Sequence, residues 1–268
     1  MLFTSLGSQF ATRVARAFRQ PAPSSGAILD APAIAHLPAA VRRYLDFTGA
    51  LGKPLVHNMH LEFDARMYSK PGARPLIAVS EQYNFFAEPT RLFFMKTQMF
   101  GLPVAVLHAY QAATATMEVR LASLFRIVNL AGPQLAIAET VTVLNDMCVF
   151  APASLIDSRL SWREIDAQTV EVGFTNGANH VSARLFFGAA GELVNFISDD
   201  RLAVQNDGSL RLAPWSTPVG NYREIDGRRM PGVGETIWHY PEGDFTYGHF
   251  ELKAIDYNRT APFVARSP

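Results

Sequence analysis

Residues 235–253 read ETIWHYPEGDFTYGHFELK, two runs of alternating side chains on either side of Glu242-Gly243. A period of two marks a β-strand, and a glycine-bearing turn between two such runs marks an antiparallel hairpin. A turn at Glu242-Gly243 sets Tyr240 against Phe245, Trp238 against Tyr247 and Thr236 against His249, and the same face continues through Glu251 and Lys253. Cross-strand aromatic pairs stabilise a sheet packed on a helix. Aromatic bodies with polar tips also suit a ligand wall, since each offers a large apolar surface and one hydrogen-bonding handle. Both readings stay open for this hairpin.

Upstream, the whole stretch from Leu160 to Asn258 is a ladder of turn-punctuated strands, with Trp215 and Tyr222 extending the aromatic face. A long antiparallel sheet must close, pack on a helix or curve around something. Asn176-Gly177 and Asp226-Gly227 are two-residue hairpin signals, and Gly188 to Gly191 offers a four-residue loop. A turn at Asn176-Gly177 sets Val172 against Val181. A loop at Gly188–Gly191 sets Arg184 against Asn195 and His180 against Asp199. One face then carries Val181, Ala183, Leu185, Val194 and Phe196 as core; the other carries Glu171, His180, Ser182, Arg184, Asn195 and Asp199. The polar face is either a solvated side or, through His180 and Asp199, an oriented base beside an arginine. Ser198-Asp199-Asp200-Arg201 reads as a polar turn with an internal ion pair.

In the first half, Leu37, Val41, Tyr44 and Leu45 recur at helical spacing and Gly49 supplies a stop, so a short helix enters near Pro38. From Val56 the period changes to two, with Met59, Leu61, Phe63, Ala65 and Met67 facing inward. Further strands are predicted at Leu76–Phe86, Arg91–Met99, Leu102–Tyr110 and Thr114–Leu121. Between Gly132 and Met147 the pattern reverts to helical, and Pro152 prevents continuation. A lone helix between two runs of strands crosses or plugs a sheet, since a parallel fold needs many such helices. The predicted class is α+β: a large, curved, mainly antiparallel sheet, or half-barrel, wrapped on one or two helices. Residues 1–26 form a basic leader and linker, 27–258 a single β-rich domain and 259–268 a tail.

The 268 residues carry 24 Lys+Arg against 24 Asp+Glu, so no basic field draws in nucleic acid. The one cysteine, Cys148, excludes an intrachain disulfide and a multi-cysteine zinc site, and fits a reducing compartment, with the cytoplasm as default. Arg13, Arg16 and Arg19 accompany Leu6, Phe10, Val14 and Phe18 at helical spacing. That amphipathic segment either lies on an anionic membrane surface through residues 1–20, or is a poorly ordered leader or a helix docked on the protein's own surface.

Motifs mostly exclude. There is no nucleophile elbow and no Walker loop. Gly232-Val233-Gly234 precedes a strand and lacks the third glycine of a dinucleotide fingerprint. His57 and His60, three apart in a strand, point to opposite faces, so no metal is indicated. Glu139 and Asp146 share a helix face; a buried pair could do acid–base work, but the expectation is a charged solvent stripe. No cofactor is implied.

The run Leu37-Pro38-Ala39-Ala40-Val41-Arg42-Arg43-Tyr44-Leu45 with Thr48-Gly49, and the closing Pro214-Trp215, Asn221-Tyr222, Gly227, Pro231, Trp238 and Asp256-Tyr257-Asn258, resemble a family of uncharacterised bacterial proteins. The likeness spans about His36 to Asn258. It implies a curved antiparallel sheet wrapped on helices, similar in shape to the half-barrels of LolA-type lipoprotein carriers, with no established catalytic residues to carry over. Many members look membrane-anchored at the N-terminus, where this chain offers only the amphipathic leader. The function expected is a binding protein for a lipid-like or largely apolar small molecule, held by Trp215, Tyr222, Trp238, Tyr240 and Tyr247. The alternative is a cofactor-independent enzyme of isomerase, lyase or hydrolase type, with His249 and Glu251 or His180 and Asp199 as its acid–base groups.

Overall fold

The computed structural model describes residues 4–20, 26–204 and 209–263. Six strands follow a short helical entry as a meander: β1 (Asn58–Met67), β2 (Leu76–Phe85), β3 (Thr90–Met99), β4 (Leu102–Gln111), β5 (Thr114–Leu121) and β6 (Phe125–Ala131). The sequence reading stops at β5. β6 escapes it because its residues are largely exposed at the sheet edge and show no clean alternation. The second run comprises β7 (Leu160–Glu164), β8 (Thr169–Asn176), β9 (Asn179–Phe187), β10 (Leu193–Ser198), the small β11 (Leu202–Val204) and β12 (Leu210–Leu212) pair, β13 (Trp215–Ser216), β14 (Val219–Ile225), β15 (Arg228–Tyr240) and β16 (Gly243–Tyr257).

The strand order is β6-β5-β4-β3-β2-β1-β16-β15-β13-β10-β9-β8-β7, antiparallel throughout, with β14 on β15. The first and last strands therefore meet in the middle, β1 against β16. The chain runs out to one edge at β6 and must reach the other at β7. It does so through the long helix Pro133–Phe150 and a 3-10 turn at Pro152–Ile156. Because that helix crosses the concave face of the curled sheet, nearly all of it from Leu135 to Val149 is buried, including Glu139, Thr140, Thr142, Asn145 and Asp146. The expected solvent stripe at Glu139 and Asp146 is thus corrected: no side of this helix faces water.

Three shorter helices precede the sheet. The first, α1 (Leu6–Ala17), starts at Ser5, whose hydroxyl accepts from the Ser8 amide at 3.1 Å. Its apolar stripe, Leu6, Phe10 and Val14, lies on the outer face of the sheet against Tyr83, Leu92, Phe94 and Leu107, with Phe10 stacked on Phe94. The stripe that a membrane surface would need is covered by the protein's own strands. α2 (Ala31–Ile34) is one turn, capped by Asp30. α3 (Ala39–Phe47) ends at Gly49, whose φ of +64° suits glycine. Its fully buried Tyr44 donates to the Cys148 carbonyl at 2.8 Å, which ties α3 to the end of the long helix, α4 (Pro133–Phe150).

Hairpin registers follow turn chemistry. Asp226-Gly227 forms the expected turn, both residues at positive φ. At β8–β9 the closing pair is Asn176↔Asn179, so Gly177, at φ +60°, takes the first central position. Val172 consequently faces Ala183, two residues from the predicted partner, and because two is the strand period every side chain keeps its face. Between β9 and β10 a bulge shifts the register between Leu193 and Asn195. Leu193 and Phe196 are both fully buried, whereas Val194, predicted as core, is exposed. At β15–β16, Pro241 and Glu242 are the central residues and Tyr240 closes on Gly243, since proline's fixed φ suits the first turn position.

Candidate functional site

A cavity of about 560 Å³ lies between α4 and the concave face of the sheet. Two unlike walls define it. The aromatic wall comes from β13, β15 and β16, where Trp215 faces Trp238 and Trp238 faces Phe245 across the ladder. Trp238 stacks on Tyr240 at 6.2 Å and on Tyr247 at 5.9 Å, and the Trp215 indole donates to the Tyr247 hydroxyl at 3.1 Å. Trp215, Trp238, Tyr240 and Tyr247 all line the cavity, while Phe63, Phe93, Met95, Val106, Met117 and Phe150 extend its apolar surface.

Tyr222 does not line it. Its ring packs edge-on against Phe47 and its hydroxyl donates to the Leu193 carbonyl at 2.8 Å, so it is a contact of α3. His249 and Glu251 are not among the lining residues either. The register shifts by one between Thr236 and Ile237, leaving an extra residue on β16. Phe245 and Tyr247 point inward before that bulge, and Phe250 and Leu252 after it. His249 and Glu251 are thereby turned to the outer face, where His249 pairs with Glu235 at 3.0 Å and Lys253 lies 3.2 Å from Asp64 and 3.9 Å from Glu251.

The pair His180 and Asp199 is not assembled. His180 faces Thr175 and shares a 3.0 Å hydrogen bond with its hydroxyl; Asp199 pairs with Arg184 at 3.1 Å in the open. The expected ion pair inside the 198–201 turn is also absent, since Asp200 accepts from the Ser182 amide while Arg201 turns away into the cavity.

The second wall is polar and was not assembled from the sequence. Gln82 on β2, Arg91 on β3 and His108 on β4 point inward and meet Glu139 and Asp146 on α4. One oxygen of Asp146 accepts from Gln82 at 2.8 Å, Asn84 at 2.9 Å and Arg91 Nε at 2.7 Å. Arg91 also donates to the side-chain Oε1 of Gln82 at 2.9 Å and approaches Glu139 at 3.4 Å, whose other oxygen lies 3.3 Å from His108 Nδ1. Burial pushes both carboxyls up. In Glu139, His108, then Arg91 and Arg201, overcome it and hold the group at about 2. In Asp146 burial prevails over Arg91 and Asn84, and the carboxyl is raised. Two neighbouring acids on one helix are thus driven in opposite directions.

A signal for this wall existed. His108 interrupts the otherwise apolar run Pro103–Ala109, and a polar side chain inside such a strand needs a buried partner. His60 is also fully buried, on the outer face, between Tyr83 and Phe263, with Glu81 at 3.2 Å and Asp256 at 3.5 Å.

Residues 27–250 match a family of unknown function, DUF6544. No curated protein matches the chain. Among solved structures the chain is similar to a LolA superfamily protein from Nitrosomonas europaea, at 9% identity and a TM-score of 0.46 over 82% of this chain and 93% of that one. It is also similar to a domain from Vibrio parahaemolyticus described as an outer membrane lipoprotein-sorting protein, at 10% identity and a TM-score of 0.42 over 75% and 85% of the two chains.

Proposed function

The chain belongs to the family of unknown function DUF6544, and we propose that the protein binds a lipid-like or other largely apolar small molecule in the cavity under α4. One observation carries the reading: a cavity of about 560 Å³ whose wall is mostly aromatic and aliphatic side chains, with Gln82, Arg91, His108, Glu139 and Asp146 grouped along one side. Small-molecule sites typically have volumes of about 300–1,000 Å³ and this kind of lining. Stacked Trp238, Tyr240 and Tyr247 give flat apolar surfaces at little conformational cost. No helix among the described residues is long and apolar enough to cross a membrane. The single Cys148 fits a reducing compartment, and we propose a cytoplasmic location, which cell fractionation tests.

The neutral fluorophore N-phenyl-1-naphthylamine should bind saturably, and Trp238→Ala should weaken it roughly tenfold, the loss of an aromatic contact worth about 1.5 kcal/mol or more. Native mass spectrometry of gently purified protein should show a co-purified apolar species. Absence of both saturable binding and any co-purified species ends this reading.

A second reading is favoured by one contact: His108 and Glu139 meet inside the cavity at 3.3 Å. A carboxylate fixes the imidazole tautomer and orientation, which is the arrangement of a general base. Its test is deuterium uptake from D2O next to the carbonyl of a bound long-chain ketone. Uptake lost in His108→Gln with fluorophore binding intact supports an enzyme; no uptake above the protein-free rate removes this reading.

A further inference from the structure

The cavity holds two guanidinium groups in opposite circumstances. Arg91 is saturated: it pairs with Asp146, donates to Gln82 and reaches Glu139. Arg201 has no carboxylate within ion-pair distance among the described residues. Among the described residues its side chain makes one hydrogen bond, from Nη1 to the neutral Thr142 hydroxyl on α4, and its buried Nε has no hydrogen-bond partner. Two indoles hold it, Trp215 at 4.2 Å and Trp238 at 5.7 Å from the guanidinium carbon.

An arginine keeps its proton at any ordinary pH and offers five N–H donors in a planar fork. Withdrawing that charge from water costs free energy that one hydroxyl does not offset. The ring faces attract the group by cation–π interaction but cannot accept from its in-plane donors, and Nε is left without an acceptor among the described residues. A planar fork over aromatic rings, with an unpartnered donor at a cavity wall, matches a carboxylate or phosphate. Of the acids lining the cavity, Glu139 and Asp146 are engaged by Arg91, His108, Gln82 and Asn84, Glu235 is paired with His249, and Arg201 acts on Glu139 only from beyond ion-pair distance. An acidic guest is repelled from their side and drawn to Arg201, while its apolar part meets the aromatic wall.

We propose that the guest is an anionic amphiphile, a long-chain molecule ending in a carboxylate or phosphate, and that Arg201 receives its acidic head. This rests on the apolar-binding reading and narrows it. The test is displacement of N-phenyl-1-naphthylamine from the full-length protein at neutral pH by palmitic acid, hexadecyl phosphate and hexadecanol, which share one tail. At least one acid should compete roughly tenfold or more better than the alcohol, the margin of a charge-assisted hydrogen bond. The better acid identifies the head. Arg201→Gln should abolish the margin, read as the ratio of acid to alcohol within each variant, while Arg201→Lys restores part of it. Equal competition by acids and alcohol in the unaltered protein overturns the inference while the apolar-binding reading survives. Failure of the fluorophore itself to bind ends that reading instead. A margin that persists in a folded Arg201→Gln, judged by an unchanged melting curve, removes Arg201 as the receptor of the head.

Discussion

The two walls of the cavity are built by opposite strategies. The aromatic wall is local: Trp238, Tyr240, Phe245 and Tyr247 lie on one hairpin, and Trp215 joins through the neighbouring strand. The polar wall draws Gln82, Arg91 and His108 from three strands and Glu139 and Asp146 from a helix that arrives from the far edge. Side chains on the aromatic wall can be lost singly, because each stacks on neighbours that stay in place. On the polar wall each group satisfies another, so losing one member strands its partners in a low-dielectric interior. Substitutions should therefore be tolerated far better on one wall than on the other.

The sharpest way to break this contrast is Arg91→Ala. It removes the cation shared by Asp146 and Glu139 and leaves two buried carboxyls without it. Urea unfolding should show a loss of about 3–5 kcal/mol, the usual cost of unpairing a buried ion pair. The same measurement on Tyr240→Ala gives the other half of the comparison. A loss for Arg91→Ala no larger than for Tyr240→Ala would mean that the polar wall is not a coupled unit.

The next effect is a pH dependence. Burial raises the Glu139 carboxyl, but His108 first and then the two arginines bring it down to about 2, below its ordinary value of 4.5. A carboxylate lowered by folding stabilises the fold fully above its unfolded value, and that stabilisation is lost as pH falls through the folded value. The window therefore runs from about pH 5 down to about pH 2, and the linked free energy is on the order of 3 kcal/mol. Asp146, raised by burial, has the opposite sign: its contribution favours the fold at low pH and fades as pH rises. Glu139→Gln should flatten the acid limb of stability, and Asp146→Asn should not. Equal acid limbs in Glu139→Gln and the unaltered protein would falsify the assignment of that limb to Glu139.

Sequence period and turn residues sufficed for the elements that repeat. The strands from Met59 to Leu121, the helix after Gly132 and the curved antiparallel sheet all emerge from alternation, glycine and proline. The aromatic wall was legible for the same reason, since parity survives a two-residue register shift. Contacts that depend on topology were not legible. Arg91 and Asp146 are 55 residues apart and meet only because α4 crosses from one sheet edge to the other. Bulges displaced His180 from Asp199 and turned His249 and Glu251 outward, while Tyr222 lies on β14, off the main strand path, against α3. A single extra residue on β16 reverses every side chain beyond it, and alternation alone cannot locate that residue.

That reversal yields the smallest effect. If the bulge at Tyr247-Gly248 turns His249 outward, its partner Glu235 is a half-exposed surface group, and such pairs contribute about 0–1 kcal/mol. His249→Ala should then change stability by no more than about 0.5 kcal/mol and leave fluorophore binding unchanged, while Tyr247→Phe, two residues earlier, breaks the bond from Trp215 and perturbs both. Calorimetry and titration of the two variants side by side measure where the strand changes face. An effect of His249→Ala on binding as large as that of Tyr247→Phe would put His249 back in the cavity and the bulge elsewhere.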